Sequence, residues 1–251
     1  MKISQRLQKI DSMIGKQYQH IWDCCCDHGQ LGAALLKRNA ANTIHFVDII
    51  PSLMAEISQK LQQFYPNQAQ GTPQNRLASW QVHCLDVAKL PLAKEQTPQL
   101  VIIAGVGGEL TIELVNSILS ANPNLPLEFI LCPVHHTYLV RQSMRQLGLG
   151  LIDEQLLEEN KRFYEVLHLS TTSTESLSHT GSIMWDLTQP RHRGYLQNLL
   201  KHYQRILTGF EKANKLHQPS DTPSQLEKIA DTKTIITQYQ RLSATTHARG
   251  E

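Results

Sequence analysis

Carboxylates and glycines stand at the ends of successive short apolar runs of this chain. The first run ends in Asp23-Cys-Cys-Cys-Asp27-His28-Gly29-Gln-Leu-Gly32, the second in Asp48-Ile49, the third in Cys84-Leu85-Asp86-Val87 and the fourth in Ala104-Gly105-Val106-Gly107-Gly108. At the first position an acidic side chain can face a cationic group, while backbone N–H groups at a following helix start can hold a carboxylate. At the second, a carboxylate can accept from both hydroxyls of a ribose. At the third, it matches the exocyclic amine of an adenine. A glycine turn at the fourth lets two reacting molecules come close to the backbone.

A regular alternation must position these groups. The sequence predicts strands at His20–Cys24, Thr43–Val47, Trp80–Cys84, Leu100–Ile103 and Phe129–Cys132. Helices are predicted between them at Gln30–Arg38, Pro51–Phe64, Glu109–Ser120 and Thr137–Leu147, with Pro51 suited to a first helical position and Gly148 to a helix end. Leu151–Leu157 and Phe163–Ser170 flank a polar turn and read as a terminal antiparallel hairpin. The fold class is therefore α/β, a mostly parallel, Rossmann-like sheet covered by helices and closed by that hairpin. Such sheets bind ligands at the carboxyl ends of their strands, near the point where strand order reverses. A cationic amino acid end, a ribose and an adenine together describe S-adenosylmethionine (AdoMet). The cofactor-binding set expected for it is Asp23, Cys25, Asp48, Ile49, Asp86, Val87, Ala104, Gly105, Gly107 and Gly108.

With 251 residues, 41% of them hydrophobic, the chain can bury one sizeable core plus a smaller attachment. It contains no apolar run long enough for a membrane span, and Met1–Leu7 lacks a signal-peptide core, so a cytoplasmic protein is expected. Three of the five cysteines are consecutive, a poor disulfide framework, and their spacing is not that of a zinc site, so no metal is expected. A net charge of +2 is too small to indicate nucleic acid by itself; only its distribution can.

The composition turns polar after Ser170, in Thr171-Thr-Ser-Thr-Glu-Ser-Leu-Ser. The expected organisation is a catalytic domain over 1–170, a linker over 171–190 and a helical hairpin over 191–251. Helical patterns run at Arg193–Leu216 and Ser224–Ser243, separated by Gln218-Pro-Ser-Asp-Thr-Pro. In the first, Leu196, Leu199, Leu200, Tyr203, Ile206, Leu207 and Phe210 form one apolar stripe; Leu226, Ile229, Ile235, Ile236 and Tyr239 offer the second a weaker one. Arg191, Arg193, Lys201, Arg205, Lys212 and Lys215 stand against Glu211 alone, a footprint for RNA backbone or the solvated face of a dimerisation arm.

Ser4-Gln-Arg6-Leu7, Asp23-x-x-x-Asp27-His28, Ile102-Ile-Ala-Gly105-x-Gly-Gly108, Leu151-Ile-Asp-Glu-x-x-Leu-Glu-Glu and Tyr164-Glu-Val-Leu occur in that order. In these segments the chain resembles the bacterial tRNA adenine-N1 methyltransferases that act on position 22. The resemblance implies a class I AdoMet-dependent methyltransferase sheet, a C-terminal coiled-coil hairpin that grips tRNA, and methylation of adenosine N1. It also implies that Arg6, His136, Arg141 and Tyr164 line the RNA side. Two departures stand out: Cys25 replaces a usual glycine, and Cys132-Pro133-Val134 replaces a usual Gln-Pro-Asn.

N1-methylation leaves the base cationic, so a nearby carboxylate would stabilise the developing charge. Asp27 is the candidate catalytic residue with His28 as its partner, the alternative being that Asp27 caps the next helix and His28 packs beneath the loop. Arg141 and Arg145, one turn apart, could clasp a phosphate or form a solvated face. His135 and His136 read as a solvated helix start. Other readings are a methyltransferase for a small molecule or protein, or an AdoMet-binding protein without catalysis. Monomer and dimer both remain open.

Overall fold

The structure, a computed structural model, describes residues 3–66, 77–94, 96–216 and 223–247. It divides into two compact units, Met1–Met184 and Trp185–Glu251.

In the first unit the chain runs α1 (Gln5–Ser12), β1 (Tyr18–Cys24), α2 (Gln30–Lys37), β2 (Ala41–Asp48), α3 (Pro51–Phe64), β3 (Ser79–Cys84), a 3₁₀ turn (Val87–Lys89), β4 (Gln99–Ala104), α4 (Gly108–Ala121), β5 (Leu127–Cys132), α5 (Thr137–Gln146), β6 (Gly150–Glu159) and β7 (Arg162–Ser170). The predicted strands and helices are all present. α1 is an element the apolar periodicity did not predict, although Ser4 caps it by accepting from the Leu7 N–H.

The seven strands form one sheet in the order β3-β2-β1-β4-β5-β7-β6. β3, β2, β1, β4 and β5 are mutually parallel; β7 pairs antiparallel with both β5 and β6. Strand order therefore reverses between β1 and β4, and the loops after these two strands flank the crevice. Alternate residues of each strand face opposite layers. Trp22, Val101, Ile103, Phe129 and Leu131 join the layer of α4 and α5. Ile21, Ile44, Phe46, Leu100 and Ile102 join the layer of α1, α2 and α3.

Three histidines break the apolar pattern on the first of these faces. His20, His45 and His83 sit side by side on β1, β2 and β3, with ring nitrogens 2.9 Å and 3.0 Å apart. Trp22 stacks on His45 at 3.7 Å, and burial, followed by its neighbours His83 and His20, lowers the His45 imidazole to about 3.

The polar stretch expected as a linker over 171–190 is divided between the units. Its first part is packed: Leu177 is buried, Ser173 donates to the Leu151 carbonyl, and backbone N–H groups of Ser182, Ile183 and Met184 converge on the Glu154 carboxylate. Composition gave little hint of this because, beside the buried Leu177 and Met184, the anchors are hydrogen bonds from a polar stretch.

The second unit carries α6 (Pro190–Leu216) and α7 (Pro223–His247), packed on each other. Tyr203 and Tyr239 stack across the seam at 5.9 Å, and Leu207, Ile236 and Thr232 are buried there. Leu226, expected in the apolar stripe of the second helix, is 61% exposed. Thr232 sits in the seam instead, its hydroxyl satisfied by the Lys228 carbonyl. The expected turn at Gln218–Thr222 lies outside the described residues.

Candidate active site

β1 delivers Asp23 into the interior and then turns sharply. The buried Asp23 carboxylate accepts from the Gly32 N–H of α2 at 2.8 Å, and burial pushes its pKa up to about 7. Cys25 and Asp27 both have left-handed backbone, with φ of +54° and +50°. A non-glycine residue in that region costs about 1–2 kcal/mol, so the turn at Cys25 is strained.

Asp48, at the end of β2, faces this turn. Among the described residues its two oxygens accept only long bonds, from the Asp27 N–H at 3.3 Å and the Ile50 N–H at 3.2 Å. Ile49 beside it is 65% exposed, an apolar surface at the crevice edge. Asp86 starts the 3₁₀ turn by accepting from the Ala88 N–H at 2.9 Å and is itself exposed, whereas the adjoining Val87 is buried.

Asp27 and His28 are exposed and form a loose pair, with His28 Nε2 3.7 Å from Asp27 Oδ1. Neither bland alternative applies to them. The N-cap of α2 is Gly29, with no side-chain capping bond, and His28 does not pack beneath the loop. The Asp27 carboxylate is thus presented by a left-handed turn of the backbone, with His28 as its loose partner.

Opposite, β4 ends at Ala104 and the chain turns through Gly105 at φ +84°. This loop is tied to the one after β5: Gly105 N–H donates to the Cys132 carbonyl and Val134 N–H to the Val106 carbonyl. A Cβ on Gly107 would lie 2.8 Å from the His135 ring, and one on Gly108 would meet the His135 carbonyl at the same distance. These two glycines thus admit the histidine loop, a nearer reason for their type than approach of a cofactor. Glu109, the next residue, contacts His136 Nδ1, and its second oxygen is 3.8 Å from His135 Nδ1. Its carboxyl is held below the usual range, first by its own backbone N–H and then by His136. Sequence reading missed Glu109, because the pairing exists only once the β4 and β5 loops are joined.

Arg6 of α1 reaches the same end of the sheet. It lies over the Tyr164 ring at 5.1 Å, and its Nε is buried without a hydrogen-bond partner among the described residues. Its guanidinium is 3.6 Å from where a Gly105 Cβ would stand.

Arg141 requires a correction. Expected on the RNA side, it is wholly buried, paired at 2.7 Å with both Glu154 and Glu165. Burial opposes its charge, but the two carboxylates more than offset this and hold it protonated. Arg145 remains exposed, so the two arginines do not form a phosphate clasp. In the second unit Arg191, Arg193, Lys201 and Arg205 are all exposed, and Lys201, Gln204, Arg205, Thr208, Gly209 and Lys212 line a shallow groove on α6.

Two of the thiols at the crevice are poor nucleophiles. Burial pushes Cys25 up to about 11 and Cys132 to about 12, which leaves both protonated at neutral pH. What remains is a sheet crevice edged by carboxylates from three strands and a glycine turn from a fourth, an arrangement characteristic of nucleoside-cofactor transferases. The family model for the methyltransferase domain matches residues 3–167, and the chain belongs to that family.

Solved structures agree in fold. The TrmK of M. capricolum, in complex with the cofactor product S-adenosyl-homocysteine, has a TM-score of 0.67 at 15% identity, covering 96% of this chain and 98% of that one. The B. subtilis m1A22 tRNA methyltransferase TrmK gives 0.65 at 19% identity over 96% and 98%. Magnesium protoporphyrin IX methyltransferase from Synechocystis, with bound AdoMet, gives 0.50 at 15% identity over only 66% and 80%. Among curated proteins none matches. No helix among the described residues is long and apolar enough to cross a membrane.

Proposed function

We propose that the chain is an AdoMet-dependent tRNA methyltransferase that methylates N1 of adenosine at position 22. The observation that carries this reading is the extent of the likeness: the two TrmK structures match 96% of the chain, helical unit included, whereas the porphyrin enzyme matches 66%. The exposed basic face of α6 supports an RNA partner, since Lys201, Arg205 and Lys212 line an open groove where they can meet phosphates, whereas Arg193 already donates to the Leu187 and Thr188 carbonyls.

The residues at the strand ends fit AdoMet by their chemistry. Asp48, with weakly occupied oxygens, suits the ribose hydroxyls, and exposed Asp86 suits the adenine amine. Asp23, held near neutrality by burial, gains a reason to ionise when an ammonium group arrives. Cys25, Ile49, Val87, Ala104 and Gly105 would supply the walls between these polar contacts. Bound AdoMet supplies an electrophilic methyl group.

The chain's own task is then positioning. The target base, turned out of its stack, must bring N1 in line with the methyl–sulfur bond at about 3–3.5 Å. Asp27 offers negative charge as the base becomes cationic, and His28 orients it. Arg6 would oppose that charge if it touched the base, so its unpartnered nitrogen suits an RNA phosphate or sugar, with Tyr164 holding the guanidinium. Cys132 and Val134 cannot replace the family's amide donors, and His135 and His136 are the polar side chains that follow on that loop.

The deciding experiment is transfer of labelled methyl from AdoMet to unmodified tRNA by the purified full chain, with nucleoside analysis of the product. The expected product is 1-methyladenosine, absent when position 22 of the tRNA is not adenosine. AdoMet binding without transfer to any RNA would refute the substrate and leave the fold and cofactor site standing.

A further inference from the structure

The loops after β4 and β5 bring three metal-ligating side chains together that lie far apart in sequence. Glu109 begins α4; His135 and His136 lead into α5. One ligand atom from each lies within 4.8 Å of the others. The two rings meet edge to face at 4.4 Å, and all three side chains open to solvent, exposed by 60%, 53% and 51%.

Preorganisation distinguishes this cluster from a chance gathering of surface polar groups. His136 sits in left-handed backbone at φ +59°, so the direction of its Cα–Cβ bond is set by the main chain. His135 packs over Gly107 at a separation that no Cβ would tolerate. The Val134 N–H bond to the Val106 carbonyl, 2.9 Å long, locks the two loops together. Holding ligands in place on rigid loop ends is what lets three side chains capture an ion.

The geometry points to a three-ligand site for a divalent first-row transition-metal ion of the zinc class, formed by Glu109, His135 and His136. Two imidazoles and one carboxylate are a borderline N/O donor set, suited to zinc, cobalt or nickel. Tetrahedral coordination with bonds of about 2.0–2.1 Å needs ligand atoms roughly 3.3–3.5 Å apart. The 3.8 Å separation of His135 from Glu109 reaches that with a small side-chain rotation, and the closer His136–Glu109 contact must open to admit the ion. Three protein ligands leave the fourth position to water or another small ligand. The cysteine spacing gave no sign of such a site, since its ligands come from elsewhere.

The test is calorimetric titration of the reduced, full-length protein with zinc and with cobalt, in the absence of AdoMet and RNA, so that it stands apart from the methyl-transfer reading. One equivalent should bind, with affinity lowered about tenfold or more in both Glu109→Ala and His135→Ala. The cobalt form should show visible d–d bands without the intense near-ultraviolet band of a thiolate ligand. Thermal melts establish that the variants remain folded. Absence of stoichiometric binding, affinity in either variant unchanged from that of the parent, or a thiolate band pointing to Cys25 or Cys26 would each overturn the proposal.

Discussion

The two ends of the sheet use the same residue types in opposite ways. At the amino end, the buried Glu128 carboxylate accepts from Lys16 Nζ at 2.6 Å, Tyr18 Oη at 2.6 Å and His168 Nε2 at 3.0 Å. At the carboxyl end, Asp27, His28, Asp86 and Glu109 are exposed, and Cys25, Asp27 and His136 hold strained backbone. A carboxylate saturated by its neighbours stabilises a fold. One held in place with its oxygens spare is available to a ligand. Left-handed backbone at residues such as Cys25, Asp27 and His136 is of the kind found at functional sites.

The largest expected effect belongs to a residue that was read into the wrong group. Arg141→Ala leaves Glu154 and Glu165 buried without their cation, which should cost about 3–5 kcal/mol and lower the melting temperature steeply. Arg145→Ala, one turn away and exposed, should leave the melt unchanged. Equal melts for the two variants would remove Arg141 from the structural side of the comparison.

Acid should attack the amino end first. Burial alone would raise the Glu128 carboxyl, but His168, Lys16 and Tyr18 outweigh it and bring it from 4.5 to about 2. Because the folded-state value is the lower one, the contribution is complete above about pH 4.5 and is lost as pH falls towards 2. Its size is about 3 kcal/mol. Chemical denaturation across that window should show the loss in the parent and a flattened profile in Glu128→Gln, whereas Asp86→Asn should follow the parent.

Next in size is a purely functional effect. Asp27→Ala should reduce methyl transfer about 100-fold while leaving the melting temperature and AdoMet affinity nearly unchanged. A parallel loss of stability would mean that Asp27 belongs with Glu128. The smallest expected effect is Cys25→Gly, which relieves the left-handed strain and should stabilise the fold by up to about 1 kcal/mol.

The residues that were legible share one property, their relation to a nearby strand end. Asp23, Asp48, Asp86 and Gly105 stand at or just beyond the ends of their strands, so alternation and turn chemistry were enough to place them there. Arg141 misled because its helical spacing to Arg145 describes a surface face, whereas its partners lie on β6 and β7. Glu109 was hidden because its histidines approach only through the joined loops of β4 and β5. α1 is short, and its one readable signal was the cap at Ser4.

The histidine row across β1, β2 and β3 carries a consequence of its own. His45 uses Nε2 towards His20 and Nδ1 towards His83, so one of its contacts must donate and the other accept. If it donates from Nδ1, His83 carries its own proton on Nδ1, and so does His20. If it donates from Nε2, all three carry theirs on Nε2. The three neutral rings therefore share one tautomer, and reversing any of them reverses the whole line, giving three strands a single polarity that the nitrogen resonances of one ring would report for all.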